Sequence, residues 1–169
     1  AYNSTTNGGV LEINGTLKGS EITIKAAKGW KMLAATGAGL TAVDLSKATE
    51  LRSLYLQDNA LTSINVANMA ELRDLNLANN QLTAIALNST KNPLIETLDL
   101  SNNPITATSF IYGQPNLRYL NLSGLDYNSL TLTKNVNLDA LLVANNALKT
   151  LTLTATKDIS LIDVRGNKL

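Results

Sequence analysis

The stretch LRDLNLANNQL, from Leu72 to Leu82, places Leu at its first, fourth, sixth and eleventh residues and Asn at its ninth. The same frame returns at Leu51 (LRSLYLQDNAL), Ile95 (IETLDLSNNPI), Leu117 (LRYLNLSGLDY), Leu138 (LDALLVANNAL) and Ile159 (ISLIDVRGNKL), with a weaker copy at Trp30 (WKMLAATGAGL). Successive starts lie 21, 21, 23, 22, 21 and 21 residues apart. So regular a period defines a repeat architecture, in which each unit buries its apolar face only against its neighbours. Below, positions are counted from the first residue of each copy.

Each period also has a second half with its own pattern: LTAVDL at Leu40, LTSINV at Leu61, LTAIAL at Leu82 and LKTLTL at Leu148. Alternating apolar residues in Val43/Leu45, Ile64/Val66, Ile85/Leu87, Leu130/Leu132 and Leu151/Leu153 predict a second short strand with one buried face. The space left in a period holds no helix of ten residues. The expected fold is therefore mainly β with little helix: a right-handed solenoid of seven coils with two parallel sheets, one from LxxLxL and one from LTxLxL. With strands stacked on both sides at a common spacing of about 4.8 Å, the array is predicted to be nearly straight and roughly 30 Å long.

Within LxxLxL, positions 1, 4 and 6 point inward and positions 3 and 5 outward. Burying one Leu is worth about 1.5 to 3 kcal/mol, which a single coil cannot obtain alone. The position-9 residues Asn59, Asn80, Asn103, Asn146 and Asn167 form a column just past the strand, where an amide can bond backbone groups that the turn leaves unpaired. They read as scaffold. Two departures stand out: Leu125 replaces the Asn of the fifth copy, and the first copy has Ala35 and Ala38 where Leu and Asn are expected. A local defect is expected near Leu125.

The pattern LxxLxLxxNxL closed by LTxLxL resembles the short-repeat, bacterial leucine-rich repeat arrays, including internalin-like surface proteins and those of gut commensals. The resemblance covers residues 30–169. It implies an exported binding scaffold at a bacterial cell surface, often one part of a longer protein. It supplies no catalytic residues and no ligand identity.

Residues 1–29 lie outside the repeat. VLEIN and SEITIK alternate like strands and are joined by GTLKG, which predicts a β-hairpin cap over the first coil, with Trp30 packed beneath it. Residues 30–169 then form the array, and its last coil is incomplete. That last copy stops at position 11, and Ala140, Leu142, Ala144 and Leu161 make its surroundings apolar. A further stretch of chain or a second copy is therefore expected at this edge.

Composition removes several function classes. There is no Cys for a disulfide framework or thiol chemistry, and no His to act as an acid-base group or zinc ligand. No metal or cofactor is expected. A net charge of +1 gives no field for gathering nucleic acid. No apolar run approaches the roughly 20 residues that cross a bilayer, so no membrane insertion is expected.

Function, if localised, belongs to the outward columns of the first strand. Between Tyr55 and Tyr119 lies a patch of Asp74, Asn76, Thr97, Asp99 and Asn121 on this concave face. Aromatic rings flanking carboxylates and amides suit a glycan or a protein ligand; a polar face that only keeps the sheet soluble is the plainer alternative. Lys31, Arg52, Arg73 and Arg118 share position 2, but Glu96 and Asp139 interrupt that column, which favours cross-strand charge pairing over a basic stripe. Asp74 and Asp99, on neighbouring strands, invite a glycosidase reading. A flat strand face excludes water poorly, so the chain is not expected to be an enzyme. The two function classes left are a non-catalytic recognition module and a structural spacer.

Overall fold

The computed structural model describes residues 10–12, 23–25, 29–153 and 159–169. Among them, the seven LxxLxL segments and Val10–Glu12 form one parallel sheet of eight strands. In spatial order these are β1 (Val10–Glu12), β3 (Met32–Ala34), β5 (Ser53–Tyr55), β6 (Asp74–Asn76), β7 (Thr97–Asp99), β8 (Tyr119–Asn121), β10 (Ala140–Leu142) and β12 (Leu161–Asp163). The register keeps each position beside itself: Leu33, Leu54, Leu75, Leu98, Leu120, Leu141 and Ile162 run across the sheet as one inward row. All but Ile162 are fully buried; on the edge strand β12, Ile162 is 44% exposed. Positions 1, 6 and 11 complete the core, for example Leu72, Leu77 and Leu82 in one coil, each fully buried. The one helical turn among the described residues is a 3-10 turn, Ile111–Gly113.

The position-9 column holds successive coils together. The Asn80 Oδ1 accepts the N–H of Leu61 in the coil before (3.0 Å), and its Nδ2 donates to Leu56 O of that coil (2.9 Å) and to Leu77 O and Ala78 O of its own. Asn59, Asn103, Asn146 and Asn167 repeat this pattern. The Leu125 side chain can neither accept nor donate, so the side-chain bonds that this column makes elsewhere are missing between the fourth and fifth coils. There the chain deviates: Asp126 takes φ +60°, and the Asn146 Oδ1 accepts both Leu125 and Tyr127 N–H.

Position 8 is a second column the repeat demands. Gly37, Asp58, Asn79, Asn102, Gly124, Asn145 and Gly166 all have φ between +54° and +69°, the left-handed region that Gly, Asn and Asp tolerate best. At Gly124 a Cβ would sit 2.3 Å from the Asn102 Oδ1, so glycine there answers a close approach as well as the turn.

The returning side differs from the expected second sheet. Among the described residues it is strand only at two places: β2 (Thr23–Lys25) beside β4 (Ala42–Asp44), and β9 (Ser129–Leu132) beside β11 (Thr150–Leu153), both pairs parallel. LTSINV and LTAIAL form no strand. The repeats between the two paired segments include the longest, of 23 and 22 residues, and Pro104 interrupts a run of inter-coil bonds. Position 10 donates its N–H to the coil before at Ala60, Gln81, Ala147 and Lys168; proline has no N–H to give.

The N-terminal region also departs from expectation. β1 and β2 do not form a hairpin with each other: β1 adds parallel to β3 and β2 parallel to β4, as one more coil would. Parallel addition continues the ladder that β3 and β4 already present on each side, which an antiparallel pair could do on one side only. The predicted connection GTLKG lies outside the described residues. Trp30 is half-buried against the core.

Three residues before the start of each copy, a buried column runs Ala48, Met69, Asn92, Gln114, Asn135. It closes the return through tight turns such as Met69 N–H to Val66 O and Leu72 N–H to Met69 O. Asn92 and Asn135 donate to carbonyls of the preceding coil, whereas neither amide atom of Gln114 has a partner within the protein.

Two stability outcomes follow. Asn80→Ala strands a buried N–H and several carbonyls and is expected to cost about 3 kcal/mol, seen as a lower urea midpoint; a cost below about 1 kcal/mol would show the column to be dispensable. Gln114→Leu removes an unpartnered buried amide at similar volume and is expected to stabilise by about 1 to 2 kcal/mol, whereas Asn92→Leu, which loses bonds to Val66 O and Met69 O, destabilises.

Candidate functional site

The seven residues read from the sequence lie together on the outer face of four adjacent strands. Tyr55, Asn76, Asp99 and Asn121 share the position-5 row of β5 to β8; Asp74, Thr97 and Tyr119 share the position-3 row of β6 to β8, continued on β5 by Ser53. All are half-buried.

Local backbone demands occupy part of this chemistry. Position 5 precedes a turn, and its side-chain oxygen accepts the N–H two residues on: Asn76 from Ala78, Asp99 from Ser101, Asn121 from Ser123. These are Asx turns, the reason Asn and Asp recur there. Cross-strand bonds tie the rows together. The Ser53 hydroxyl donates to Asp74 Oδ2 (2.8 Å), and Asn121 Nδ2 donates to Asp99 Oδ2 (3.0 Å). The Tyr119 hydroxyl titrates above its ordinary range, first through burial and then through the nearby charge of Asp99, with a hydrogen bond to Asn121 opposing. Asp99, Tyr119 and Asn121 thus behave as one cluster.

The carboxylates of the two rows differ in their surroundings. Asp163 is ion-paired with Arg165 (2.7 Å), whose hydrogen bonds hold its carboxyl down at about 2. Among the described residues, Asp74 and Asp99 have no ion pair. Their bonds to side chains come from neutral donors, Ser53 on Asp74 and Ser101 and Asn121 on Asp99.

The position-2 column forms cross-strand pairs at Arg73–Glu96 and Arg118–Asp139, while Lys31 reaches Glu50 at 2.5 Å. Being mostly solvent-exposed, such pairs contribute about 0 to 1 kcal/mol each. They leave no uninterrupted basic stripe. No group of three or more Asp or Glu among the described residues is placed to hold a metal ion, and no helix is long and apolar enough to cross a membrane.

A second concavity, of about 360 Å³, was not anticipated from the sequence. Thr106, Thr108, Leu125, Asp126, Tyr127, Asn128 and Ser129 line it on the returning side, beside the Leu125 interruption. Leu125 was its one visible signal. Tyr127, at position 11 where other coils have Leu or Ile, is 6% exposed and donates its hydroxyl to Ala107 O (3.1 Å).

With this geometry established, known proteins can be set beside it. Residues 49–89 match a family model of leucine rich repeats in two copies, and residues 91–109 a model of a single leucine rich repeat. No curated protein is similar enough in sequence to count as a relative. Among solved structures, the chain is similar to the functional domain of InlJ from Listeria monocytogenes, at 24% identity with a TM-score of 0.66. The match covers 84% of this chain and 36% of that one, so this chain spans little over a third of its length. The InlJ domain is described as including a cysteine ladder; this chain has no Cys, and its position-9 ladder is built of Asn.

Burial pushes the Tyr127 hydroxyl up to about 12. Since the unfolded phenol ionises near pH 10, the folded state binds more proton between about pH 10 and 12, and stability falls as pH rises through that window. Tyr127→Phe is expected to flatten this decline, measured as urea midpoints at pH 9, 10 and 11. An equal decline in the variant would show that Tyr127 does not ionise with unfolding.

Proposed function

We propose that this chain, whose fold is similar to that of an internalin domain, is a non-catalytic recognition module of a bacterial cell-surface protein, binding a protein or glycan through the outer face of β5 to β8. The observation that carries this reading is the four-strand patch. Two tyrosines and five polar residues lie in register on one rigid sheet, with side-chain positions set by cross-strand and Asx-turn hydrogen bonds. A face held in this way loses little conformational entropy on binding. A spacer needs only solubility, which Ser, Thr and charged residues provide without two aromatic rings. Similarity to a bacterial surface protein's domain supports an extracellular setting.

Catalysis is not part of this reading. Asp74 and Asp99 stand on an open sheet face, which does not exclude water as a glycosidase mechanism requires.

A glycan and host-protein array probed with the wild-type chain and a Tyr55→Ala, Tyr119→Ala variant tests the proposal. A ligand whose affinity drops at least tenfold in the variant is the expected result. Binding unaffected by the variant removes this face as the site, and an array without binding favours the spacer. Reducing ends released from mixed polysaccharides would contradict the non-catalytic reading.

A further inference from the structure

The outward chemistry of β5 to β8 has an internal pattern. Tyr55 on β5 lies diagonal to Asp74 on β6, and Asp99 on β7 lies diagonal to Tyr119 on β8. The second pair is the first turned by half a rotation about the sheet normal: position 5 exchanges with position 3, and β5 with β8. The face therefore carries two half-sites, each one tyrosine ring beside one carboxylate. The reach of Asp99's charge to the Tyr119 hydroxyl shows how close the partners of one half-site are.

The charges on this face are of one sign. Across all seven copies, positions 3 and 5 contain no Lys or Arg. Arg73 and Arg118, at the neighbouring position 2, are turned to Glu96 and Asp139. Asp74 and Asp99 accept hydrogen bonds from neutral donors and have no ion pair among the described residues. A carboxylate beside an aromatic ring suits a guanidinium or ammonium group, which gains charge pairing from one and a cation–π contact from the other.

The spacing narrows the ligand further. The midpoints of the two half-sites lie two strand spacings apart, about 9.6 Å, along the solenoid axis. In a polyproline II helix, residues i and i+3 face the same side about 9.3 Å apart. A β-strand offers same-side residues about 6.8 Å apart, too close for the two half-sites. An α-helix reaches about 10.5 Å between i and i+7. Its intervening apolar turn would then lie over Asn76 and Thr97, where nothing apolar receives it.

We propose that the β5 to β8 face binds an extended basic segment of a partner protein in the polyproline II conformation, with Arg or Lys at i and i+3, each cation seated between one tyrosine and one aspartate. This rests on the reading of the face as the recognition surface and specifies its partner.

The probe is an acetylated, amidated peptide PPRPPRPP, titrated into the full chain and followed by amide chemical shifts and calorimetry. The expected result is one-to-one binding that weakens with salt, with shifts centred on β5 to β8. Asp74→Asn and Asp99→Asn are each expected to weaken binding about threefold, and the double variant about tenfold. At Asp99, Asn keeps the Oδ1 acceptor that Asn76 and Asn121 already use in the same turn, and at Asp74 an amide oxygen can still accept from the Ser53 hydroxyl, so the variants are expected to fold, checked by unchanged shifts in the remaining coils. A double variant that binds like the wild type overturns the proposal. So does equal binding of PPEPPEPP, or of a peptide with Arg at i and i+2. If PPRPPRPP does not bind while an array glycan loses affinity in the tyrosine variant, the partner chemistry is wrong and the recognition face stands. Peptide binding that maps outside β5 to β8 overturns the inference as well.

Discussion

The structure depends on how a chain that turns a corner every few residues pairs its buried backbone groups. Each coil turns sharply after its first strand, inside the protein, where an unpaired N–H or C=O costs about 1 to 3 kcal/mol. Asn59, Asn80, Asn103, Asn146 and Asn167 meet this cost with one side chain per coil, accepting from the coil before and donating both to it and to their own coil. An amide suits the task because it carries donor and acceptor on one planar group. Leu, as at position 125, fills the volume but pairs nothing, and the chain bends locally in response.

With inter-coil bonding carried by the backbone ladders and the buried Asn column, the outer face of the sheet is free to vary. Position 5 still answers to the turn that follows it, which keeps Asn and Asp frequent there. The result is a surface whose polar groups are anchored at one end by structure and open at the other. Asp74 and the two tyrosines are the members of that surface least explained by the fold: Ala140 and Leu142 occupy the same rows on β10, next to β8, so the scaffold accepts apolar side chains at these positions.

The returning side shows how tolerant this arrangement is. Among the described residues its strands pair only at β9 with β11 and at β2 with β4. Between them the chain closes its coils with tight turns through Ala48, Met69, Asn92, Gln114 and Asn135. Since solenoid stability is a sum of local and nearest-neighbour terms, a broken ladder or an orphan amide in one coil does not propagate to the rest.

The period, the inward rows at positions 1, 4, 6 and 11, the Asn column and the outward patch from Tyr55 to Tyr119 were all legible in the amino-acid sequence. In a repeat, position n of one copy lies beside position n of the next, so a one-dimensional spacing already states the three-dimensional neighbours. Tertiary structure alone decided the remainder. Residues 10–12 and 23–25 alternate equally well as a hairpin or as a parallel coil, and the open edges of β3 and β4 select the coil. LTSINV and LKTLTL look alike on paper, but only the second forms a strand: a strand needs a bonded partner, and Pro104 removes one inter-coil N–H from the middle coils. Finally, whether Asp74 and Asp99 face a cation depends on side-chain directions at position 2, where Arg73 and Arg118 turn to Glu96 and Asp139. Hydrogen bonding and charge pairing are set by distance in space, and outside a strict repeat the sequence does not state that distance.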